Sequence, residues 1–221
     1  MKLKFVKKQP EAKNIVSFWF KPEKPVHRIA GQYTQLDIPH PDPDQRRTKR
    51  WFTVSSSPTE NLWSVTTKLD PDRKSTFKTA LNRLEAGEII SAQLPMGDFV
   101  LPKDASLPII FVAGGIGITP YRSILKYLSD TNQKRDITLI YAVNEPDEIA
   151  FRQLIGQTDI NFKEHIGSLS AEKILNHTGD ITNHIVYLSG PEKMVEALWK
   201  DLLAKGINNL QLRTDFFHNY D

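Results

Sequence analysis

The residues of this chain best suited to chemistry lie in a short stretch that reads PIIFVAGGIGITP. The apolar run at 108–113 predicts a strand that is buried on both faces. The residues that follow it directly are Gly114, Gly115, Gly117, Thr119 and Pro120. Glycines permit a tight turn and a close approach to bare backbone, and threonine followed by proline is typical of a helix start. Free backbone N–H groups and the helix dipole converge there, so the stretch predicts a phosphate site of the kind that binds dinucleotides.

A second group of reactive side chains lies in the first half of the chain. Arg50, Trp51, Phe52 and Thr53 place a cation, two aromatic rings and a hydroxyl on four consecutive residues. On a strand, Arg50 and Phe52 share one face while Trp51 and Thr53 share the other. Arginine is suited to a diphosphate, an aromatic ring to a planar cofactor and a hydroxyl to a ring nitrogen. The same pattern also fits an ordinary amphipathic edge strand.

Composition excludes several classes of site. The 221 residues include no cysteine, which rules out disulfides, thiol catalysis and cysteine-ligated clusters within them. The six histidines show no ligand spacing, so no metal site is expected. A net charge of +3 does not by itself indicate a nucleic-acid partner. The N-terminal residues lack the apolar core of a signal peptide, and no apolar run reaches the ~20 residues of a membrane span. A cytoplasmic protein without membrane contact is expected.

The elements that must position these residues change character near residue 103. Before it, β-rich segments predict strands at 2–7, 14–21, 33–38, 49–55, 62–69 and 89–94, with one helix at 75–84. After it, strands predicted at 108–113, 137–143, 161–166, 184–189 and 208–213 alternate with helices at 119–129, 147–154, 171–177 and 192–205. We therefore expect a six-stranded antiparallel barrel domain over 1–103 and a parallel-sheet α/β domain over 104–221.

Five motifs in order resemble those of the ferredoxin–NADP reductase family, here without an iron–sulfur domain. RWFTVSSSP is similar to the family's Arg-x-Tyr-Ser flavin motif, and GGIGITPYRSIL is similar to its nicotinamide-nucleotide motif. LSGPEKMVEAL resembles the family's Cys-Gly-Pro-Pro segment, and the start of the 75–84 helix resembles the one that holds the flavin phosphates. The ending DFFHNY is similar to a Phe-Phe-x-Gly-Tyr tail. The resemblance extends from about residue 32 to residue 220.

The resemblance assigns the flavin side of the site as follows. Arg50 would pair with the FAD pyrophosphate, and the helix start would complete that subsite. Phe52, where the family has tyrosine, would lie against the flavin ring, and Thr53 would approach the flavin N5 that accepts the hydride. The further residues implied on this side are Trp51, Val65, Thr66, Thr67, Lys68, Ser75, Thr76 and Phe77. Since relatives that bind flavin loosely also carry phenylalanine at that position, the strength of FAD retention stays open.

On the nicotinamide side, the resemblance implies that the glycine turn and helix start described above, from Gly114 to Pro120, bind the nucleotide. Ser189 would stand beside the nicotinamide in the family's cysteine position, with Gly190 and Pro191 forming its turn. Glu145 follows a predicted strand, where a carboxylate accepts from ribose hydroxyls and repels a 2′-phosphate. That favours NADH over NADPH, although Arg122 and Arg152 could reach a phosphate. In the tail, Phe216, Phe217 and Tyr220 would either cover the flavin or fill the core, with Phe217 at the catalytic face.

The expected function is a flavoprotein oxidoreductase that passes a hydride from NAD(P)H to FAD and then electrons to a separate acceptor. In such an enzyme the flavin performs the chemistry and the protein positions it, so we expect no acid–base triad. The acceptor would be ferredoxin, flavodoxin or a similar carrier, and the chain is expected to be a monomer. Two alternatives stay open, namely an NAD(P)H:flavin reductase that uses flavin as a substrate and a non-catalytic electron-transfer or sensor subunit.

Overall fold

The computed structural model describes residues 1–69 and 75–216, and within them the first half forms a six-stranded antiparallel sheet. Its strands are β1 (Lys2–Ala12), β2 (Ile15–Pro22), β3 (Tyr33–Asp37), β4 (Lys49–Thr53), β5 (Trp63–Lys68) and β6 (Ile89–Ala92). Their order across the sheet is β4-β3-β6-β1-β2-β5. The sheet curls so that the Ser55 N–H, just after β4, donates to the Ser64 carbonyl of β5 at 2.8 Å. This contact between its two edge strands gives the sheet the barrel-like form predicted from the sequence.

Large apolar side chains fill the inside of this curled sheet. Phe18, Phe20 and Trp63 from the strands are buried there with Phe77 and Leu81 of helix α1 (Thr76–Arg83). The hydroxyl of Ser75 caps α1 by accepting from the Lys78 N–H at 3.4 Å. Burial of one face of a short helix supplies most of its stability. The start of α1 is therefore fixed against the sheet, close to β4.

The second half is a parallel sheet with helices, as the alternation of elements predicted. Its strands are β7 (Ile109–Gly114), β8 (Ile137–Val143), β9 (Asn161–Ile166), β10 (Ile185–Ser189) and β11 (Leu212–Asp215). The helices are α2 (Thr119–Asp130), α3 (Arg152–Gly156), α4 (Ala171–Thr178) and α5 (Glu192–Ala204). The strand order is β11-β10-β7-β8-β9, with every pair parallel.

This strand order places a topological switch point beside β7. The chain runs outward from β7 to β8 and β9, then returns to the other side of β7 as β10 and β11. In open α/β sheets, ligands bind at the carboxyl ends of the strands where the order reverses. Here those ends are Gly114 of β7 and Ser189 of β10, which both belong to predicted site motifs.

Three local expectations differ from the structure. Residues 147–154 do not form one helix, because a 3₁₀ turn at Pro146–Glu148 is separated from α3 by Phe151, whose φ is a left-handed 59°. Thr119 is the first residue of α2 and not its cap, since its hydroxyl donates to the Ile116 carbonyl at 3.1 Å. The last strand, predicted at 208–213, begins later, at Leu212 of β11, because a 3₁₀ turn occupies Asn209–Gln211.

The connection between the two sheets runs from the end of β6 to the start of β7. The predicted domain boundary at 103/104 lies within this connection and stays a prediction. Among the described residues, no helix combines the length and the apolar character needed to cross a membrane.

Candidate functional site

Arg50 is the buried cation of the predicted flavin subsite. Its side chain is only 3% exposed because β4 directs it to the inner face of the sheet, 5.4 Å from the centre of the Phe77 ring. One terminal nitrogen, Nη1, donates to the carbonyls of Arg46, Arg47 and Lys49 at 2.7, 3.0 and 2.7 Å. The other, Nη2, donates to the carboxylate of Asp44 at 2.5 Å. The structure therefore holds this guanidinium in one orientation beside an anion.

The start of α1 lies next to Arg50, as the resemblance implied. Thr76 Oγ1 accepts from the Asp44 N–H at 3.0 Å and lies 3.1 Å from Nε2 of His40. Thr76 and His40 also line a groove of about 530 Å³ between α1 and the loop after β3. The helix start is thus open to solvent from the groove, while Arg50 is buried behind it.

The two aromatic residues of β4 face opposite sides. Phe52 is 7% exposed and packs against Phe77 in the barrel core, with ring centres 5.8 Å apart. Trp51 is half-buried on the other face, edge-on to Tyr33 at 5.4 Å. Trp51 shares its face with Thr53, the residue predicted to approach the flavin N5. A flavin stacked on Phe52 would have to reach a ring that is largely enclosed by the barrel core.

Strand β5 contributes a buried network of hydroxyls beside β4. The Thr66 hydroxyl lies 2.7 Å from that of Ser17 and 2.8 Å from that of Ser55, which in turn lies 2.8 Å from Ser64 Oγ. Val65 points into the barrel core and Thr67 is buried. Lys68 is the last of the four residues of this strand that are predicted to contact the flavin. Its ammonium pairs with Glu148 of the parallel-sheet half.

The predicted glycines serve two different purposes. A Cβ on Gly117 would lie 2.2 Å from the Ser189 carbonyl oxygen, and one on Gly114 would lie 2.4 Å from the sulfur of Met194. These glycines allow the turns after β7 and β10 to pack directly against each other. Gly115 instead has φ +51° and open space around it, so it shapes the turn before α2. A Cβ on Gly190, next to Pro191, would lie only 3.1 Å from the Cα and the carbonyl oxygen of Gly114, so the two predicted nucleotide motifs lie side by side.

A carboxyl group that sequence reasoning missed lies at the centre of the site. Asp215 at the end of β11 is opposite Ser189 of β10, with Ser189 Oγ 3.5 Å from its Oδ2, and it also hydrogen-bonds the side chain of Thr53. Burial raises the pKa of Asp215 to about 7, and neighbouring Asp98 adds to the rise against the effect of the two hydroxyls. The expectation that the site holds no acid–base triad stays a prediction, but the site does hold one carboxyl that titrates near neutral pH. The signal available in the sequence was an aspartate directly before the aromatic tail.

The loop after β8 carries the acidic residues predicted to meet the nucleotide ribose. Lys13 of the β1–β2 turn pairs with Glu145 at 2.5 Å and with Asp147 at 3.3 Å. Glu145 remains more than half exposed, so its carboxylate is open to solvent as well. This loop is held to the barrel half through exposed ion pairs.

The two arginines considered for a 2′-phosphate are both engaged elsewhere. Arg122 makes a two-pronged ion pair with Glu60 and lies over the rings of Trp19 and Phe151, at 5.5 and 5.8 Å from their centres. Arg152 pairs with Glu164 at 3.0 Å. The Arg122 contact joins α2 to the barrel half, so its role in this structure is to hold the two halves together.

The aromatic tail is described only at its first position. Phe216 packs against the core of the parallel-sheet half, in agreement with the core-filling alternative. Phe217 and Tyr220, for which a role over the flavin is predicted, lie outside the described residues.

Comparisons with known proteins agree with this arrangement. Residues 111–200 match the oxidoreductase NAD-binding domain. Flavohemoprotein A of Dictyostelium discoideum is 26% identical over 96% of this chain, which spans 58% of that protein. The flavohemoprotein of Bacillus subtilis is 31% identical over 66% of this chain, which spans 36% of that protein. The chain therefore spans about half the length of the curated relatives it matches.

Solved structures share the fold across nearly the whole chain. An Amycolatopsis cytochrome P450 reductase superposes with a TM-score of 0.81 at 18% identity, covering 98% of this chain and 70% of that one. The FAD/NAD-binding domain of nitric oxide dioxygenase from Vibrio cholerae gives 0.79 at 21% identity, with 98% of each chain covered.

The fold joins a barrel-like half to a parallel-sheet half whose residues 111–200 match an oxidoreductase NAD-binding domain. This match and the shared fold agree with the resemblance to ferredoxin–NADP reductases.

Proposed function

We propose that the chain is an NAD(P)H-dependent flavoprotein oxidoreductase module that binds FAD between its two halves and passes electrons from it to a separate acceptor. One observation carries the proposal: Thr53 from the barrel half and Ser189 from the end of β10 meet at the partly buried carboxyl of Asp215. Residues of two separately formed sheets converge there at the topological switch point. A perturbed carboxyl in such a crevice is typical of a functional site.

The residues of this chain fit both nucleotides. The buried Arg50 and the start of α1 supply the positive groups for a flavin diphosphate. The glycine turns at Gly114–Gly117 and Gly190 bring backbone without side chains to the place where the nicotinamide nucleotide would lie. FAD, when bound, supplies the hydride acceptor and the electron donor of the reaction. The protein's own task is to align the two nucleotides and to exclude water from between them.

Asp215 is suited to hold and exchange a proton close to the reacting rings. With a pKa of about 7, its carboxyl is available in both protonation states near neutral pH. Thr53 and Ser189 orient that group through their hydroxyls, one from each half of the molecule. We assign Thr53 and Ser189 the predicted positions beside the flavin and the nicotinamide, and Asp215 the proton that accompanies hydride transfer.

The charges around the loop after β8 support NADH as the favoured donor. Glu145 and Asp147 project there, and a 2′-phosphate would meet their carboxylates. Both candidate arginines are already paired, with Glu60 and Glu164. Lys13 and Lys68 each face a carboxylate of this loop. Arg152 also donates to the Pro146 carbonyl at 3.4 Å, while it pairs with Glu164.

The electron acceptor is proposed to be a group outside these 221 residues. They contain no cysteine for an iron–sulfur cluster, so electrons leaving the flavin need a further carrier or substrate.

A specific observation supports a second candidate, an enzyme that reduces flavin as a substrate and releases it. Arg50, the cation of the phosphate subsite, is already paired with Asp44, and this pairing weakens its attraction for a second anion.

Anaerobic titration of the purified protein with NADH and then NADPH, followed by visible absorption, tests the proposal. Bleaching of bound flavin by about one equivalent of nucleotide is the expected result, because each NAD(P)H delivers one hydride. Turnover only with added free flavin supports the second candidate. Flavin that binds but is not bleached by either nucleotide contradicts both and leaves the non-catalytic alternative.

A further inference from the structure

The loop between β3 and β4 folds back over Arg50 and presents Asp44 to it. Asp44 Oδ1 lies 2.5 Å from Nη2 of Arg50 and also accepts from the Arg46 N–H at 2.9 Å. Its own N–H donates to Thr76 Oγ1 at 3.0 Å. The carboxylate therefore lies between the buried guanidinium and the start of α1, where an anionic ligand of both groups would bind.

The backbone of this loop is specifically shaped to hold Asp44 in place. The Arg47 N–H donates to the Asp44 carbonyl at 2.7 Å, which closes a tight turn. Asp42 and Arg47 adopt left-handed φ values of 48° and 60°, a conformation that costs energy for residues other than glycine. Partial burial opposes ionisation of Asp44, but the hydrogen bonds from Arg50 and the Arg46 backbone lower its pKa. The group is thus a carboxylate at neutral pH.

We propose that Asp44 is an internal competitor for the phosphate groups of the flavin nucleotide, and that it weakens flavin retention by occupying the free side of Arg50. The inference rests on the proposed flavin site and specifies what limits its affinity. A flavin phosphate must either displace this carboxylate or bind beside it, and both arrangements cost electrostatic energy.

The opposite role, in which Asp44 orients Arg50 for the ligand, is less consistent with the contacts. Nη1 of Arg50 is already fixed by three backbone carbonyls, those of Arg46, Arg47 and Lys49. The planar guanidinium therefore keeps its orientation without Asp44. Asp44 binds Nη2, the terminal nitrogen that the three backbone carbonyls leave for a phosphate. Its negative charge partly neutralises the one buried cation of the subsite.

The test compares Asp44→Asn with the control variant Asp159→Asn, which removes the same charge at an exposed position of the parallel-sheet half. Dissociation constants are measured by flavin fluorescence for FAD, FMN and riboflavin. We expect D44N to tighten FAD and FMN by about tenfold or more and riboflavin, which has no phosphate, by less than about twofold. D159N should change none of them by more than about twofold. Asp44→Ser provides a second variant if D44N does not fold.

Equal or weaker FAD binding by D44N and D44S, relative to the unmodified protein, overturns the inference. Equal tightening of riboflavin also overturns it, because the competition must act on phosphate. Reduction by NADH is recorded on the same samples. Tightened FAD binding without reduction supports Asp44 as a competitor and contradicts the proposed reductase function, so the two failures are distinguishable.

Discussion

Ser189 and Asp215 lie directly opposite each other at the carboxyl ends of the parallel strands β10 and β11, with the serine hydroxyl 3.5 Å from the carboxylate. Thr53 reaches the same carboxyl from β4 of the other sheet. The group is therefore assembled only when both halves of the chain are folded and packed together. Burial in that assembly is the main cause of the raised pKa of Asp215.

The raised pKa of Asp215 predicts how stability changes with pH. Between about pH 4 and pH 7 the folded protein keeps a proton that the unfolded chain has already lost, so the free energy of unfolding decreases as pH rises through that range. Asp215→Asn cannot titrate and should not show this loss. We expect the difference in the free energy of unfolding between the unmodified protein and D215N to change by on the order of 3 kcal/mol between about pH 4.5 and pH 7.5. Urea unfolding at both pH values measures it.

Asp180→Asn is the matched control for this measurement. Asp180 is exposed, and hydrogen bonds from the backbone and side chain of Thr182 lower its pKa. Its ionisation therefore makes the free energy of unfolding increase as pH rises, opposite to the effect of Asp215. The contribution of Asp180 is present above its unfolded pKa and lost in acid. A D215N protein that follows the same pH profile as the unmodified chain contradicts the assignment of a partly buried, protonated Asp215.

The Arg122–Glu60 ion pair predicts a stability cost that exposed pairs do not share. Both side chains are largely buried, and Glu60 also accepts from the Ser57 N–H at 2.6 Å. Glu60→Gln leaves the buried guanidinium without its countercharge, so we expect a loss of about 2 kcal/mol in the free energy of unfolding. Glu164→Gln, which breaks the exposed pair with Arg152, should cost less than about 1 kcal/mol. Equal costs for the two variants in urea unfolding would show that Arg122 does not join the halves.

Nucleotide selectivity should depend on the carboxylate of Glu145. Glu145→Gln removes a negative charge where a 2′-phosphate would approach and leaves Lys13 with one fewer acidic partner. We expect the KM for NADPH to fall by about three- to tenfold and the KM for NADH to change less than about twofold. Steady-state rates with both nucleotides measure the change, and Asp159→Asn serves as an exposed control of equal charge. A wild-type preference for NADPH would be incompatible with this assignment.

Much of the fold followed from local patterns that do not depend on partners. Apolar runs without alternation predicted the buried parallel strands, and β-rich segments between prolines predicted the antiparallel half. The segment at 147–154 was misassigned because its composition suits a helix, whereas the structure has a left-handed Phe151 that separates the 3₁₀ turn from α3. The Phe151 ring is packed beside Arg122 of α2, a contact between distant residues that no local pattern reports.

The site was predicted where a motif is contiguous and missed where it depends on contacts between distant residues. The glycines after β7 and the serine after β10 were recognisable from short segments, and the structure brings them within contact distance. Asp215 was missed because its raised pKa arises only when β4, β10 and β11 come together. The pairing of the Asp44 carboxylate with Arg50 was also not predicted, since the loop that carries Asp44 has the composition of a solvated turn.

Arg50 has two roles that a pair of variants can separate. Arg50→Ala removes the cation of the flavin subsite and also the donors that hold the 46–49 backbone, so it should lower FAD affinity by about a hundredfold and destabilise the fold by about 2 kcal/mol. In that variant Asp44 is a partly buried carboxylate whose remaining ion-pair partner is Arg46, at 3.7 Å.

The double variant Arg50→Ala with Asp44→Ala removes this weakly paired carboxylate, so we expect it to regain about half of the lost stability. FAD affinity should stay low, because the cation that attracts the diphosphate is still missing. Urea unfolding and flavin fluorescence on the unmodified protein, the Asp44→Ala single variant and both Arg50 variants measure the two effects independently. Recovery of FAD affinity in the double variant would mean that Arg50 serves only to neutralise Asp44, and that the flavin phosphates bind elsewhere.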